Sequence, residues 1–305
     1  MARFAGSEPY LQEIADGVFG YVQPLGGWCV SNAGVIANGG EVAIIDTLST
    51  AGRARAMLDT VAGLDAGPVR TVVNTHFHGD HTFGNQFFDQ ATIIGHRLIR
   101  PEMLAAGLSL TMLWPDVEWG ELQVTPPSVL FDDTMTLYVG DRQVELIHVG
   151  PAHTTNDVVA WLPEERVLFA GDVVLAGCTP FNLMGSVSGS LRAVQRLAEL
   201  QPRTVLCGHG AVSGPEVFTE TTDYLQWLDT IARAGRAAGL APLELARQTD
   251  LGEFAGLLDS ERIVGNLHRV YAELDGAAPG AILDVMTIFG EIIEFNGGRP
   301  PACAA

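Results

Sequence analysis

The chain has no lysine; all 17 of its basic residues are arginine. It therefore has neither the lysine of a phosphate-binding P-loop nor one able to form a Schiff base. Cysteine is sparse as well. Cys29, Cys178, Cys207 and Cys303 are the four in 305 residues, and none are in CxxC spacing. That argues against a disulfide framework and predicts free thiols and a cytoplasmic protein. No apolar run approaches the roughly 20 residues that a membrane helix needs, so no membrane association is expected. Residues 1–8 show no apolar core of a secretory signal. Positive charge is also short: 36 acidic against 17 basic residues leave a net charge of -19. Nucleic acid rewards clustered cations, so a nucleic-acid partner is not expected.

Apolar residues make up 47% of the chain, enough for a substantial core. The length suits one large domain, or one domain with an appendage. Residues 9–48 alternate apolar runs with Gly-rich turns and predict several strands. A helix is predicted over 50–65, strands over 70–75 and 92–94, and a helix over 101–110 with Pro101 at its start. Four short strands are expected over 129–170, then a helix over 188–200 and a strand over 203–207. From Pro215 the pattern is helical, over 215–239, 242–248, 260–275 and 280–295.

The densest chemistry lies in Thr75-His76-Phe77-His78-Gly79-Asp80-His81. Burying so many polar side chains without partners costs free energy, and a borderline metal ion removes that cost. In an extended segment alternate residues share a face, so His76 and His78 can grip one ion. Gly79 then breaks the strand, and Asp80 and His81 can turn to a second point. Three further strands each deliver a ligand-type residue just beyond their ends, beside small residues: His153 after Gly150-Pro151-Ala152, Asp172 after Gly171, and His209 after Cys207-Gly208. Cys207 itself reads as a buried strand thiol more than as a ligand.

The order HxHxDH, then His, then Asp, then His resembles the metallo-β-lactamase superfamily over roughly the first 215 residues. The resemblance implies an α/β fold, the αββα sandwich, with the metal site at one edge. It implies two divalent ions, zinc being favoured by the ligand set. His76, His78 and His153 would form one site, Asp80, His81 and His209 the other, and Asp172 would bridge them. Asp46 matches an early aspartate that orients the ligand loop. The expected division is a catalytic domain over 1–214 and a helical extension over 215–305, packed on the metal edge. A dinuclear site of this kind acidifies water and stabilises an oxyanion, so acyl hydrolysis is the default, with Asp80 holding or shuttling the proton. An enolate would be stabilised by the same charges, which leaves carbon–carbon bond formation open. Many β-lactamases of this fold place a cysteine, or no ligand, where this chain has Asp172. An aspartate there fits the thioester-cleaving hydroxyacylglutathione hydrolase branch instead.

A closer likeness rests on Gly26-Gly27-Trp28-Cys29-Val30-Ser31-Asn32, on Trp114-Pro115-Asp116-Val117-Glu118-Trp119, on Thr179-Pro180-Phe181, on Asn266-Leu267-His268-Arg269 and on Glu294-Phe295-Asn296-Gly297-Gly298. Together these resemble the second-ring cyclases of aromatic polyketide synthesis, such as that of the actinorhodin pathway. That implies aldol closure of a ring, with thioesterase activity on a polyketide held by an acyl carrier protein. Trp28, Trp114, Trp119, Phe181 and Met184 are then candidates for holding a flat substrate, with Asn32 and His268, and more weakly Ser31, Thr154 and Asn156, as polar contacts. His96 reads as structural, and His148 as a residue near the site. Carrier proteins are acidic, as is this chain, so an arginine patch for docking is expected from Arg233, Arg236, Arg247, Arg262 and Arg269.

Overall fold

The computed structural model describes residues 8–24 and 26–305. Residues 1–7, most of the stretch read for a secretory signal, lie outside them. Strand alternation sets the layers. In β3 (Ala33–Asn38) Ala33 and Val35 face one way and Ile36 the other; in β4 (Glu41–Ile45) Val42 and Ile44 oppose Ala43 and Ile45. Both faces of these strands are apolar, so each must be covered; here the second sheet covers one face and a helix the other.

The first sheet runs β1 (Tyr10–Ala15), β2 (Val18–Val22), β3, β4, β5 (Val69–Val73), β6 (Thr92–His96) and β7 (Val129–Phe131) in spatial as in chain order. Its first four strands are antiparallel neighbours and the last three join in parallel. The second sheet has the order β13 (Val212–Ser213), β12 (Thr204–Cys207), β11 (Val167–Gly171), β10 (Val158–Leu162), β9 (Arg142–His148) and β8 (Thr134–Val139). Residues 129–171 thus hold five strands where four were expected. The fifth is split off by a tight Gly140-Asp141 reversal between β8 and β9.

Val18, Ile36, Ile45 and Val73 of the first sheet meet Leu146, Ala160, Leu162 and Phe169 of the second. At Gly34 any Cβ would lie 2.5 Å from the Phe169 ring, so a glycine there sets how closely the sheets approach. Outside the first sheet packs α1 (Ala51–Ala62), through Met57 and Val61. Outside the second packs α4 (Val187–Glu199), through Ala193, Val194 and Leu197. The result is the αββα sandwich.

α2 (Gly79–Thr82) carries two of the ligand-type residues, and α3 (Ile99–Ala106) packs against β6. The helix expected over 101–110 stops early. Gly107 leaves it at φ +55°, and a short 3-10 turn, Ser109–Met112, follows. The C-terminal helices are α5 (Glu216–Ala237), α6 (Pro242–Gln248), α7 (Arg262–Leu274) and α8 (Val285–Phe295). The last begins five residues later than expected, where the Asp284 carboxylate caps it by accepting from Thr287 N and Oγ1. These helices share one core with Trp28, Phe83, Trp114, Trp119 and Phe181 of the sandwich. The tail then returns: Cys303 bridges to Trp28, and the Trp114 indole donates to Pro301 O at 2.7 Å. Among the described residues no helix is long and apolar enough to cross a membrane.

Candidate metal centre

β5 ends at Val73, and the chain bends over Thr75, His76 and Phe77 before α2 begins at Gly79. Gly79 is needed here for space: the Phe83 ring lies 2.3 Å from where its Cβ would stand. His76 and His78 reach one point, as expected, but across a bend and not along a strand face, and they present different atoms. His76 Nε2 lies 3.1 Å from His78 Nδ1, and His153 Nε2 lies 2.9 Å from that same Nδ1. Asp80, His81 and His209 form a second group close by. Asp172 stands between, 3.2 Å from His81 Nε2, 3.5 Å from His153 Nε2 and 3.4 Å from His209 Nε2. The fold therefore brings together all seven side chains singled out in the sequence.

Outer hydrogen bonds fix which nitrogens face inward. Asp46, in the left-handed region at φ +65° just past β4, takes Thr75 N–H at 2.8 Å and Thr75 O–H at 2.7 Å. It also accepts from His81 Nδ1 at 2.7 Å. Thr75 Oγ1, its own proton given to Asp46, accepts from His76 Nδ1 at 3.1 Å. Phe181 O accepts from His153 Nδ1. Three imidazoles thus direct Nε2 lone pairs at the centre. His81 Nε2 and Asp172 Oδ1 are buried with no hydrogen-bond partner, although they face each other. With the imidazole neutral, as ligation of a metal requires, lone pair would face lone pair, and a cation between them removes the conflict. A Cβ at position 208 would fall 1.9 Å from Asp172 Oδ1, so Gly208 makes room for that carboxylate. The donor set fits a pair of divalent ions with nitrogen and oxygen ligands.

By themselves, the carboxylates and imidazoles perturb one another: burial opposes charge on His81, yet Asp172, Asp46 and Asp80 raise it well above its usual range. Burial alone would raise the carboxyl of Asp172, but His209, His81 and His153 hold it well below its usual range. Asp80 is likewise depressed, against burial, by His81 and His209. Burial, then the neighbouring imidazoles, pulls His78 down to about 3, so it is a neutral donor. His209 goes the other way, to about 9, because Asp172 and Asp80 outweigh its burial.

A cavity of about 140 Å³ opens onto this centre. A single water needs only ~10–15 Å³ on the same measure, so the space suits an organic group. Trp28, Phe77, Phe83, Phe181 and Phe289 give its aromatic surface; Met103, Leu110, Leu113 and Met286 line it further out.

Of the predicted substrate contacts, Trp28, Phe181 and Met184 are in the wall. Trp114 and Trp119 are not. They are buried beside it, with the Trp119 indole donating to Trp114 O. Asn32 is a structural brace that donates to Cys207 O and Gly210 O and accepts from Gln23 N. His268 faces Glu291, 2.8 Å away, and links α7 to α8. Ser31 binds Asp80 O, Thr154 binds Asp157, and Asn156 binds Glu102; none lines the cavity. His148 stacks on His96 at 3.7 Å, also away from the cavity. Cys207 is a buried thiol, which burial pushes up to about 12. The expected arginine patch does not form. Arg262 and Arg269 are buried, while Arg233, Arg236 and Arg247 each pair with a carboxylate. The liners missed in the sequence, on α3, the 3-10 turn and α8, carry only ordinary apolar residues and gave no local signal.

The family profile for the metallo-beta-lactamase superfamily matches residues 26–209, which span every one of the seven side chains. The chain belongs to the metallo-beta-lactamase superfamily. Among curated superfamily members it is 21% identical over 235 residues to a metallo-beta-lactamase type 2 of Bacteroides fragilis, covering 73% of this chain and 88% of that one. It is 28% identical over 176 residues to the human acyl-coenzyme A thioesterase MBLAC2, covering 50% of this chain and 61% of that protein. The inverting sec-alkylsulfatase Pisa1 from Pseudomonas superposes with a TM-score of 0.71 at 17% identity, over 88% of this chain and 51% of that one. At that identity the likeness is one of fold. A superfamily hydrolase with a His/Asp cluster able to hold metal is the result these observations support directly.

Proposed function

We propose that this protein is a metal-dependent cyclase of aromatic polyketide chains, closing a second ring by aldol addition, and that it also cleaves the thioester holding the chain to an acyl carrier protein. The observation that carries this reading is the cavity: an aromatic-walled chamber ending on the ligand cluster, where a small polar thioester would need neither depth nor rings.

His76, His78, Asp80, His81, His153, Asp172 and His209 would hold two divalent ions, zinc foremost. When bound, these supply positive charge that acidifies water and stabilises an oxygen anion. The chain's own residues do the rest. Trp28, Phe181 and Phe289 pack edge-on and tilted around one another, with centroids 5.1 to 6.1 Å apart, and present ring faces and edges to a flat acyl group. Asp80, in the cavity wall with Oδ2 3.3 Å from His209 Nε2, is placed to take the α-carbon proton as the enolate forms and to return it to the alkoxide that ring closure creates. The apolar wall excludes water while the carbon–carbon bond forms, which favours closure before thioester cleavage. Both steps develop negative charge on an oxygen, so one site serves both.

The carrier would dock without a charge patch. Leu104, Leu108, Met112, Ile282 and Met286 are exposed on or next to the segments that line the cavity, and offer it an apolar rim.

A second reading is a hydrolase of small acyl thioesters or lactones, of the hydroxyacylglutathione hydrolase type; the similarity to an acyl-coenzyme A thioesterase favours it. Mass spectrometry separates the two. A carrier-bound poly-β-keto chain with one ring formed is incubated with the wild type and with Asp172→Ala. The expected products are a two-ring free acid with wild type and the unchanged carrier adduct with the variant. Release of an uncyclised acid by wild type would sink the cyclase reading and leave the hydrolase.

A further inference from the structure

Arg262 is the only guanidinium in the cavity wall among the described residues, and the metal chemistry has no use for it. It is the first residue of α7 and only 3% exposed. Its Nη1 donates to Thr179 O at 3.0 Å and its Nη2 to Asp259 Oδ2 at 2.9 Å. Its Nε is buried with no partner. The guanidinium carbon sits 4.3 Å from the centroid of Trp28, whose indole is itself fixed by a 2.8 Å bond to Glu261. Burial disfavours the charge, yet Asp259 and more distant acidic groups, Asp172 among them, keep the group firmly protonated.

A buried charged donor left without an acceptor is costly, and a fold retains one where a ligand completes it. Three of the five N–H groups of a guanidinium are unspent here. Apart from Thr82 and Ser109 the wall beyond the ligand cluster is apolar, so a substrate with no oxygen beyond the reacting carbonyl would leave this cation unanswered.

We infer that Arg262 is a second anchor for the substrate, binding a carbonyl, enol or phenol oxygen of an acyl group whose rings stack on Trp28 and whose reacting carbon lies at the ligand cluster. The inference rests on the acyl-thioester reading for the second half of that sentence; the oxygen contact itself does not depend on turnover. It names the substrate class more narrowly: ring systems or chains bearing an oxygen several bonds from the thioester, as a poly-β-keto chain does, in preference to plain alkyl or aryl acids.

The test is a matched pair of probes, 2-naphthol and 2-methylnaphthalene, which differ by a hydroxyl against a methyl. Dissociation constants are measured by tryptophan fluorescence quenching on zinc-loaded wild type, Arg262→Gln and Arg262→Lys at equal zinc content. Wild type should prefer the naphthol by about 10-fold or more, the worth of a hydrogen bond to a charged group. Arg262→Gln should lose the preference, and Arg262→Lys should keep part of it. No preference in wild type, or the same preference in both variants, overturns the assignment. Should Arg262→Gln fail to fold, the wild-type ratio and its change in Arg262→Lys decide alone. Turnover of β-ketoacyl and plain acyl thioesters, run alongside, separates the two claims: the probe ratio judges the anchor, and absence of any thioester turnover judges the functional reading.

Discussion

Single side chains carry the chemistry through their hydrogen-bond partners as much as through their own donors. Asp46 satisfies three donors at once and leaves His81 only one way to point. Asp46→Asn swaps one acceptor oxygen for an amide that repels the N–H it faces. Zinc affinity should drop about 10- to 100-fold, read by competition with a chromophoric chelator; wild-type affinity would show that the ligand loop holds its own geometry. A different titration sits away from the centre. Burial, then His148 and Arg97, lower His96 to about 4. A free histidine in the unfolded chain takes its proton near pH 6.5. Between those values the unfolded state binds more protons, so His96 contributes stability above about pH 6.5 that is lost as pH falls toward 4. Urea unfolding at pH 7, 5.5 and 4.5 should show a shallower acid loss for His96→Phe than for wild type. Equal slopes would remove His96 as a source.

At the scale of elements, α7 is the part that ties the helical extension to the ligands. Arg262, Asn266 and Arg269 lie on one face, and each donates to the 179–183 loop, at Thr179 O, Pro180 O and Leu183 O. The same loop holds His153 through Phe181 O. Asn266 also accepts from Asn182 N. Asn266→Ala strands those buried groups, a loss of about 1–3 kcal/mol. It should lower the melting temperature and also weaken zinc retention, although Asn266 touches no ligand. A melting loss with unchanged zinc affinity would mean that the loop is held from elsewhere. Periodicity in the sequence placed this helix within two residues of its ends. It did not reveal the contacts, because a helix face that meets backbone carbonyls has no apolar signature of its own.

For the whole molecule, five imidazoles and two carboxylates from four segments meet at one edge, so ion binding and stability would be linked. Ligands converge from the segments after β5, β9, β11 and β12, so an ion that binds only the folded chain stabilises all of them together. Raising free zinc to ~100 times its dissociation constant should add about 2.7 kcal/mol to stability. Differential scanning calorimetry should show a melting point that climbs with zinc in wild type, falls with a chelator, and does not move with zinc in Asp172→Ala. A wild-type melting point indifferent to zinc would contradict the seven-residue centre.

The ligand set was legible in the sequence for a local reason, while the sandwich was expected only through the family resemblance that the order of ligands carries. Strand alternation needs only neighbouring residues, and each ligand sits within a few residues of a strand end beside glycine or another small residue. The cavity was decided by tertiary structure alone. Phe77, Met103, Arg262 and Phe289 come from four separate segments of the chain, and each is unremarkable as a cavity liner where it stands. Trp114 and Trp119 looked like substrate contacts and proved to be packing, while Arg262 looked like surface charge and proved to be buried wall. Which face of a side chain meets solvent, substrate or another helix depends on long-range contacts, and no window of sequence contains them.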